Sequence, residues 1–477
     1  MAKKITVIGA GPGGYVAAIR AAQLGAEVTI IEQENVGGTC LNWGCIPSKV
    51  MKTTAELLEK FRKSREFGIA LQGDVVPDMK SLMRRKQTII QDQIKGILTL
   101  FDHHKIQHLQ GMGTVKGPHL CVVKLTDGST VEVSSDGLIL APGSAPLAIS
   151  AFPFDGTRIL SSNHASELLE IPESLLIVGG GVIGCEFAFI FSSLGSRVTV
   201  VEGLSRLLPL PSVDEGCSKV IQREMKKRKI QFMVNKMVEK VEDMDQRWHV
   251  TVGPSQFMAE PSKRDLEPLT LEADKILVCI GRQTNTAGMG LEKIGVKVDN
   301  AGWVQADQHM ETGVPQVYAV GDVLGPSKVM LAHVATREGL IAAENLMGSR
   351  ERMDYGVVPS VIFTTPEVAN VGLTGTQAKE QGIQVRSDSV LFRNLGKSHV
   401  IGEIAGEAKI ISDAEKGKIL GVHMVGPQAS DLIAEGALAV KLGCTVKELA
   451  KTIHAHPTLA EVMMEVSFKA LDRPMHG

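Results

Sequence analysis

The chain has 477 residues, enough for about three or four domain-sized units, and its 44% hydrophobic and 22% charged residues exclude a disordered chain. A net charge of −2 with both signs interspersed leaves no basic field for DNA or RNA, and three Trp and three Tyr are too few to build base-stacking platforms. Seven cysteines do not make a secreted disulfide framework, and the apolar stretch Leu175–Cys185 is broken by glycines and closed by Glu186, too short to span a bilayer. Met1–Lys4 leads straight into a strand pattern with no signal or transit segment, so the expectation is a cytoplasmic protein that binds neither membrane nor nucleic acid.

The first strand reads Ile5–Ile8, followed by the turn Gly9-Ala10-Gly11-Pro12-Gly13-Gly14 and a helical pattern ending near Leu24-Gly25. A second strand, Glu27–Ile31, ends at Glu32. The same pattern returns at an offset of 170: strand Leu175–Val178, turn Gly179-Gly180-Gly181-Val182-Ile183-Gly184, helix end Leu194-Gly195, strand Arg197–Val201 and Glu202. A lone G-x-G-x-x-G is weak evidence. Here each copy follows a strand, opens a helix and has an acid at the same distance downstream, which is the full dinucleotide-binding fingerprint. The glycines permit a tight turn, close approach of a pyrophosphate and close helix–strand packing, and the helix N-terminus offers free N–H groups to phosphate. Glu32 and Glu202 would accept hydrogen bonds from a ribose diol and repel a 2′-phosphate, so the second site should prefer NAD to NADP. Arg206 nearby leaves the NADP alternative open.

Between the repeats, Thr53 to about Leu109 is largely helical in pattern, and Leu120–Leu140 alternates as strands around Asp127-Gly128. Arg223–Lys229 reads as a solvated helix face. Residues 254–269 read as a surface loop, Ala273–Gly281 as a strand ending in a glycine turn, and Val317–Val320 as a short buried strand. Beyond about Arg350, strands such as Ser360–Phe363 and Glu407–Ser412 mix with helices such as Ser430–Leu442, as in a separate α+β domain.

Five cysteines, Cys121, Cys185, Cys217, Cys279 and Cys444, sit in apolar or mixed surroundings and are expected to pack as small hydrophobes. Cys40 and Cys45 differ. They lie four residues apart on a turn entering a helix, where a thiolate is stabilised and a small disulfide ring can close. A zinc site would need two more ligands, and neither a second cysteine pair nor a histidine is nearby, so no metal is expected.

The segment Gly37-Gly38-Thr39-Cys40 through Cys45-Ile46-Pro47-Ser48-Lys49 resembles the redox motif of the flavin disulfide reductases, and is most similar to the dihydrolipoamide dehydrogenases among them. The resemblance covers essentially the whole chain. It returns in Cys279–Arg282, Tyr318–Asp322, Met330–His333, Thr365–Val368 and His454–Glu461. It implies an α/β fold with two Rossmann-like domains, for FAD and NAD, and a C-terminal α+β dimerisation domain. The implied boundaries are residues 1–147 for the first part of the FAD domain, 148–274 for the NAD domain, 275–348 for the second, central part of the FAD domain and 349–477 for the interface domain.

The resemblance further implies that Cys40 and Cys45 form a redox disulfide, with Cys40 the interchange sulfur and Cys45 facing the flavin. FAD would be held by Gly9, Gly11, Gly14 and Glu32. Lys49 would lie by the flavin, paired with Glu186. Asp322 would hold the ribityl chain, and Met330, Leu331, Ala332 and His333 would cover the pyrimidine edge. Gly113, Gly143 and Ser144 would close the adenine side. NAD would use Gly179, Gly181, Gly184, Glu202, Val238 and Gly281. His456 would be the catalytic base, oriented by Glu461 and acting on the partner subunit of a homodimer, while His454 would be structural. Dihydrolipoyl groups on acyltransferase or H-protein subunits of 2-oxo acid dehydrogenase or glycine cleavage complexes would be the substrate.

Two departures stand out: Pro142 where the family often has Thr, and Trp43 where a small aliphatic residue is usual. Glutathione or mercuric reductases are the nearest rivals within the fold. They favour NADPH, and the mercuric enzyme needs a C-terminal cysteine pair, whereas this chain ends Arg473–Gly477. A non-catalytic structural subunit is the rival from another class, and an intact Cys40, Cys45, Lys49, His456 and Glu461 argue against it.

Overall fold

The computed structural model describes residues 2–245, 247–260, 262 and 266–477. The first apolar run forms strand Lys4–Ile8, and the glycine turn opens helix Pro12–Gln23. Proline suits that first helical position because its missing N–H has no intrahelical partner to lose. Strand Glu27–Glu32 returns parallel to the first, Ile5 beside Val28 and Ile8 beside Ile31. The second copy folds the same way, as strand Ser174–Val178, helix Val182–Leu194 and strand Arg197–Val201, with Leu175 beside Val198.

Each copy seeds its own sheet. The first has seven strands in the order Val317–Ala319, Gly137–Leu140, Lys4–Ile8, Glu27–Glu32, Gln107–Gly117, Leu120–Leu125 and Thr130–Ser134. Its first five strands run parallel and its last two turn back as an antiparallel meander. The second has five parallel strands in the order Gln231–Met233, Arg197–Val201, Ser174–Val178, Lys275–Val278 and Ile159–Leu160. Ser174–Val178 and Gly137–Leu140 are buried along their whole length, as expected of parallel strands covered on both faces. Lys275–Val278 pairs with Ser174–Val178, so it belongs to the second sheet although it lies beyond the boundary expected at residue 274. Ala273 closes the antiparallel strand Leu269–Ala273 instead, so the continuous strand expected over Ala273–Gly281 is two strands in two sheets.

The helical stretch expected from Thr53 starts earlier, at the cysteine. Helix Cys45–Arg62 and a short 3-10 turn, Ser64–Phe67, precede the long helix Met79–His103, whose N-cap Asp78 accepts from the Ser81 N–H. Leu109 lies in strand Gln107–Gly117, because period-2 pairing with Ile31 takes over there. The loop expected over residues 254–269 falls in part outside the described residues. Arg228, in the run read as solvated, packs its guanidinium against Glu59 and Glu224, so that face is only partly in water.

The C-terminal part carries a five-stranded antiparallel sheet in the order Ser360–Ile362, Glu367–Gly372, Ile419–Gly426, Glu407–Asp413 and Val385–Leu391, backed by helices Ala429–Leu442 and Glu461–Ala470. Cys121, Cys185 and Cys217 are buried in the hydrophobic cores, and Cys279 and Cys444 pack at their edges. No helix among the described residues is long and apolar enough to cross a membrane.

Candidate functional site

The two glycine turns are built alike. Gly9 adopts φ +101° and a Cβ there would stand 2.0 Å from the Ala141 carbonyl oxygen, while one on Gly14 would stand 1.8 Å from the Gly9 carbonyl oxygen. Gly179 and Gly184 repeat this at 2.4 Å and 1.9 Å, against Cys279 and Gly179. Gly11 and Gly181 cap the two helices with no side-chain hydrogen bond, and the space beside the Gly181 Cα is open to 4 Å. First-turn N–H groups without a cap are what a pyrophosphate needs. Glu32 accepts from the N–H of Ala10 at 2.7 Å and of Glu34 at 2.8 Å, and Glu202 from those of Gly180 at 2.6 Å and Leu204 at 2.7 Å. Each acid is buried at the end of its strand, and burial raises the Glu32 carboxyl despite those donors. Arg206 donates to the carbonyls of Leu208, Leu210 and Val213, so its guanidinium is already engaged.

The cysteine loop is tied to the first turn by a hydrogen bond from the Gly37 N–H to the Ala10 carbonyl at 2.8 Å. Cys40 lies on the short helix Gly38–Asn42, and Cys45 is the first residue of helix Cys45–Arg62. The two sulfurs are thiols, with Cys45 exposed and Cys40 half-buried. A hydrogen bond from Cys40 and the Lys49 ammonium lower the Cys45 thiol to about 7, whereas the same bond and burial push Cys40 far up. Lys49, one turn along the helix, donates to Glu186 Oε2 at 2.9 Å, and Glu186 Oε1 accepts from the Phe363 N–H at 2.9 Å. Trp43 caps the Cys40 helix, its N–H donating to the Thr39 carbonyl at 2.9 Å.

Ser144, Asp322 and Arg282 converge from three segments. Ser144 Oγ donates to Asp322 Oδ2 at 2.6 Å and accepts from Arg282 Nε at 2.6 Å, while Arg282 Nη2 donates to the Ser144 carbonyl at 2.7 Å. Gly143 has φ +71°, Gly281 φ +142° and Gly321 φ +77°, left-handed or extended turns suited to glycine. The Pro142 carbonyl accepts from Asn285, so the position without an N–H still makes a backbone contact. Gly113 lies in strand Gln107–Gly117 facing Ile31 and Ile8. Met330 and Leu331 lead into helix Ala332–Leu346, whose N-cap Leu331 offers no side-chain bond, and His333 Nε2 lies 2.8 Å from the Pro359 carbonyl. Val238 packs at the edge of the apolar cluster around Val250 and Val252.

His456 lies on the loop ahead of helix Glu461–Ala470. Its Nδ1 lies 2.9 Å from Glu461 Oε1, and Glu461 Oε2 accepts from the Thr458 N–H at 2.9 Å. Burial pushes the Glu461 carboxyl up, but these donors outweigh it and hold it low. The His456 side chain is 77% exposed, so its second nitrogen faces outward, whereas His454 is 5% exposed with Nε2 on Glu435 and Nδ1 on the Thr452 carbonyl. Among the described residues, no hydrogen bond or ion pair joins His456 to the cysteine loop.

Three contributors escaped the sequence reading. Arg282 fell within a motif noted for its glycine, and Phe363 lies two residues ahead of the Thr365-Pro366 pair. Glu338 is buried and pushed up to about 7 by burial; it accepts from the Gly321 N–H at 2.7 Å and the Tyr355 hydroxyl at 2.6 Å. Its only signal was an acid on an otherwise apolar helix face.

A family model for pyridine nucleotide-disulphide oxidoreductases matches residues 3–339, and one for their dimerisation domain matches residues 358–467. A dihydrolipoyl dehydrogenase of Chlamydia muridarum is 42% identical over 472 residues, spanning 98% of this chain and 97% of the relative. One from Geobacillus stearothermophilus is 37% identical, spanning 98% and 96%. Among solved structures, LpdA of Mycobacterium tuberculosis is similar with a TM-score of 0.89 at 27% identity, spanning 98% of this chain and 99% of its own. The HOCl-induced flavoprotein disulfide reductase RclA of Escherichia coli shares the fold, with a TM-score of 0.83 at 24% identity over 97% and 99%.

Proposed function

We propose that this chain, which belongs to the pyridine nucleotide-disulphide oxidoreductase family, oxidises protein-bound dihydrolipoyl groups to the cyclic disulfide through Cys40 and Cys45 and passes the electrons to NAD⁺. It is a flavoprotein oxidoreductase of a family that uses FAD and NAD(H), and its dimerisation domain makes it a homodimer. The uncapped helix starts behind Gly11 and Gly181 fit two pyrophosphates, and Glu32 and Glu202 fit two ribose diols. FAD would rest on Gly9, Gly11, Gly14, Glu32, Gly113, Gly143, Ser144, Asp322 and Met330–His333, near Lys49. NAD would rest on Gly179, Gly181, Gly184, Glu202, Val238 and Gly281. When bound, the flavin supplies a two-electron acceptor for the reduced sulfur pair and a hydride donor for the nicotinamide.

The chain's own residues carry the thiol chemistry. His456 of one subunit, held by Glu461, takes a proton from a dihydrolipoyl thiol. The thiolate attacks Cys40 of the oxidised pair. A substrate–Cys40 disulfide forms, the Cys40–Cys45 bond breaks, and Cys45 leaves as a thiolate stabilised by Lys49. The second substrate thiol then displaces Cys40, which departs as a thiol, and the substrate leaves as the cyclic disulfide. Two electrons now rest on the cysteine pair. The observation carrying this reading is geometric: Cys45 opens a helix one turn ahead of Lys49, whose ammonium Glu186 holds at 2.9 Å, while Cys40 lies on the short helix before it. Its test is Cys45→Ser: dihydrolipoamide turnover should vanish while flavin stays bound, and retained turnover would overturn it. Lipoyl-bearing acyltransferase or H-protein subunits are the proposed partners, which a pull-down on the purified homodimer would reveal. Better kinetics with NADP⁺ than with NAD⁺ would contradict the role given to Glu202.

A further inference from the structure

Phe363 follows strand Ser360–Ile362 of the C-terminal sheet and reaches back to the redox helix. Its N–H holds Glu186 Oε1 at 2.9 Å, and its ring centroid lies 4.3 Å from Lys49 Nζ and 5.7 Å from Lys52 Nζ. Lys49 and Lys52 are three residues apart on one face of helix Cys45–Arg62, and Cys45 and Lys49 are four apart on it. One ring therefore faces two ammonium groups, and one residue grips both members of the Lys49–Glu186 pair. Lys52 is separately anchored, 2.8 Å from Glu367 Oε1 and 2.6 Å from Glu56 Oε1, so it cannot swing in to replace Lys49. An aromatic face attracts a cation through its quadrupole, most strongly where water is scarce. Lys49 is only partly exposed, and Glu186 is buried.

We propose that Phe363 is the positioning residue of the redox centre: its ring and N–H, supplied by the C-terminal domain, hold the Lys49 ammonium where its charge acts on the Cys45 sulfur. This rests on the reading of Cys45 as the thiolate that faces the flavin. The charged and titratable groups around that sulfur are Cys40 on the short helix, Lys49 on its own helix, Glu186 from the second dinucleotide unit and Arg282 from the loop after Gly281, with Tyr15 behind Cys40. Only the Lys49–Glu186 pair touches Phe363 among them.

The test uses flavin-loaded dimer reduced by one equivalent of dithiol, with the long-wavelength thiolate–flavin absorbance followed against pH. Phe363→Leu should move the midpoint up by about half a unit, because a Lys49 ammonium no longer held by the ring stabilises the Cys45 thiolate less. Phe363→Tyr, which keeps the ring, should return it to the wild-type value. If the leucine variant loses flavin or dimer, Phe363→Met, which keeps the bulk without the ring, should show the same upward shift. An unchanged or lowered midpoint in the ring-less variant, or a tyrosine variant that shifts equally, overturns the proposal and leaves the function standing. A wild-type protein with no such absorbance at any pH sinks the function and this role with it.

Discussion

At Cys45 the surroundings decide a protonation state that the residue type does not. Its thiol is held at about 7 rather than the ordinary 9.0 by the Cys40 hydrogen bond first, then Lys49. A thiol lowered on folding favours the fold where the thiolate exists, so its contribution is complete above the unfolded value and is lost as pH falls through about 7. Reduced protein should therefore show a urea midpoint that rises between pH 6 and 9, and Cys45→Ser should flatten that rise. Cys40 opposes it only above the window, because its thiol is raised. At the other end of the chain, His456 is fixed through Nδ1 by Glu461. Replacing a general base costs about 10²–10⁴-fold. In the proposed role of general base, His456→Ala should lose that much of the dihydrolipoamide oxidation rate in steady-state assays. Glu461→Gln, which keeps the shape and loses the charge, should lose less and should shift the pH–rate profile.

The two glycine turns show how an element divides fold from ligand. A methyl on Gly184 would meet the Gly179 carbonyl oxygen at 1.9 Å, whereas one on Gly181 would meet nothing within 4 Å. Gly184→Ala should cost stability, by about 2 kcal/mol or more as overpacking against backbone does, read from urea unfolding. Gly181→Ala should unfold like wild type and raise the KM for NAD, because the methyl would stand where the proposed pyrophosphate site lies. The redox helix makes a second case. Lys52, 9% exposed, pairs with Glu367, whose other oxygen accepts from the Ser430 N–H in the first turn of helix Ala429–Leu442. Glu367→Gln should destabilise by about 2 kcal/mol, below the usual cost of a broken buried pair because Glu56 still holds the ammonium.

On the scale of the molecule, the sulfurs sit near the start of the chain, while His456 sits near its end on an exposed loop. If each site takes sulfur from one subunit and imidazole from the other, mixing Cys45→Ser and His456→Ala protein and exchanging subunits should restore about one quarter of wild-type activity, because half the dimers then carry one complete site. Absence of any recovery after verified exchange would place both residues in one subunit's site. The sequence by itself determined the two dinucleotide turns, both acidic strand ends, the strands Lys4–Ile8 and Ser174–Val178 and the special cysteine pair, because glycine spacing, buried runs and short-range chemistry are local. Tertiary structure alone decided that Lys275–Val278 joins the second sheet, that Leu109 lies in a strand, and that Arg282, Glu338 and Phe363 reach the site. Those depend on which distant segments pack together, and contacts between segments far apart in the chain leave no period or spacing along it.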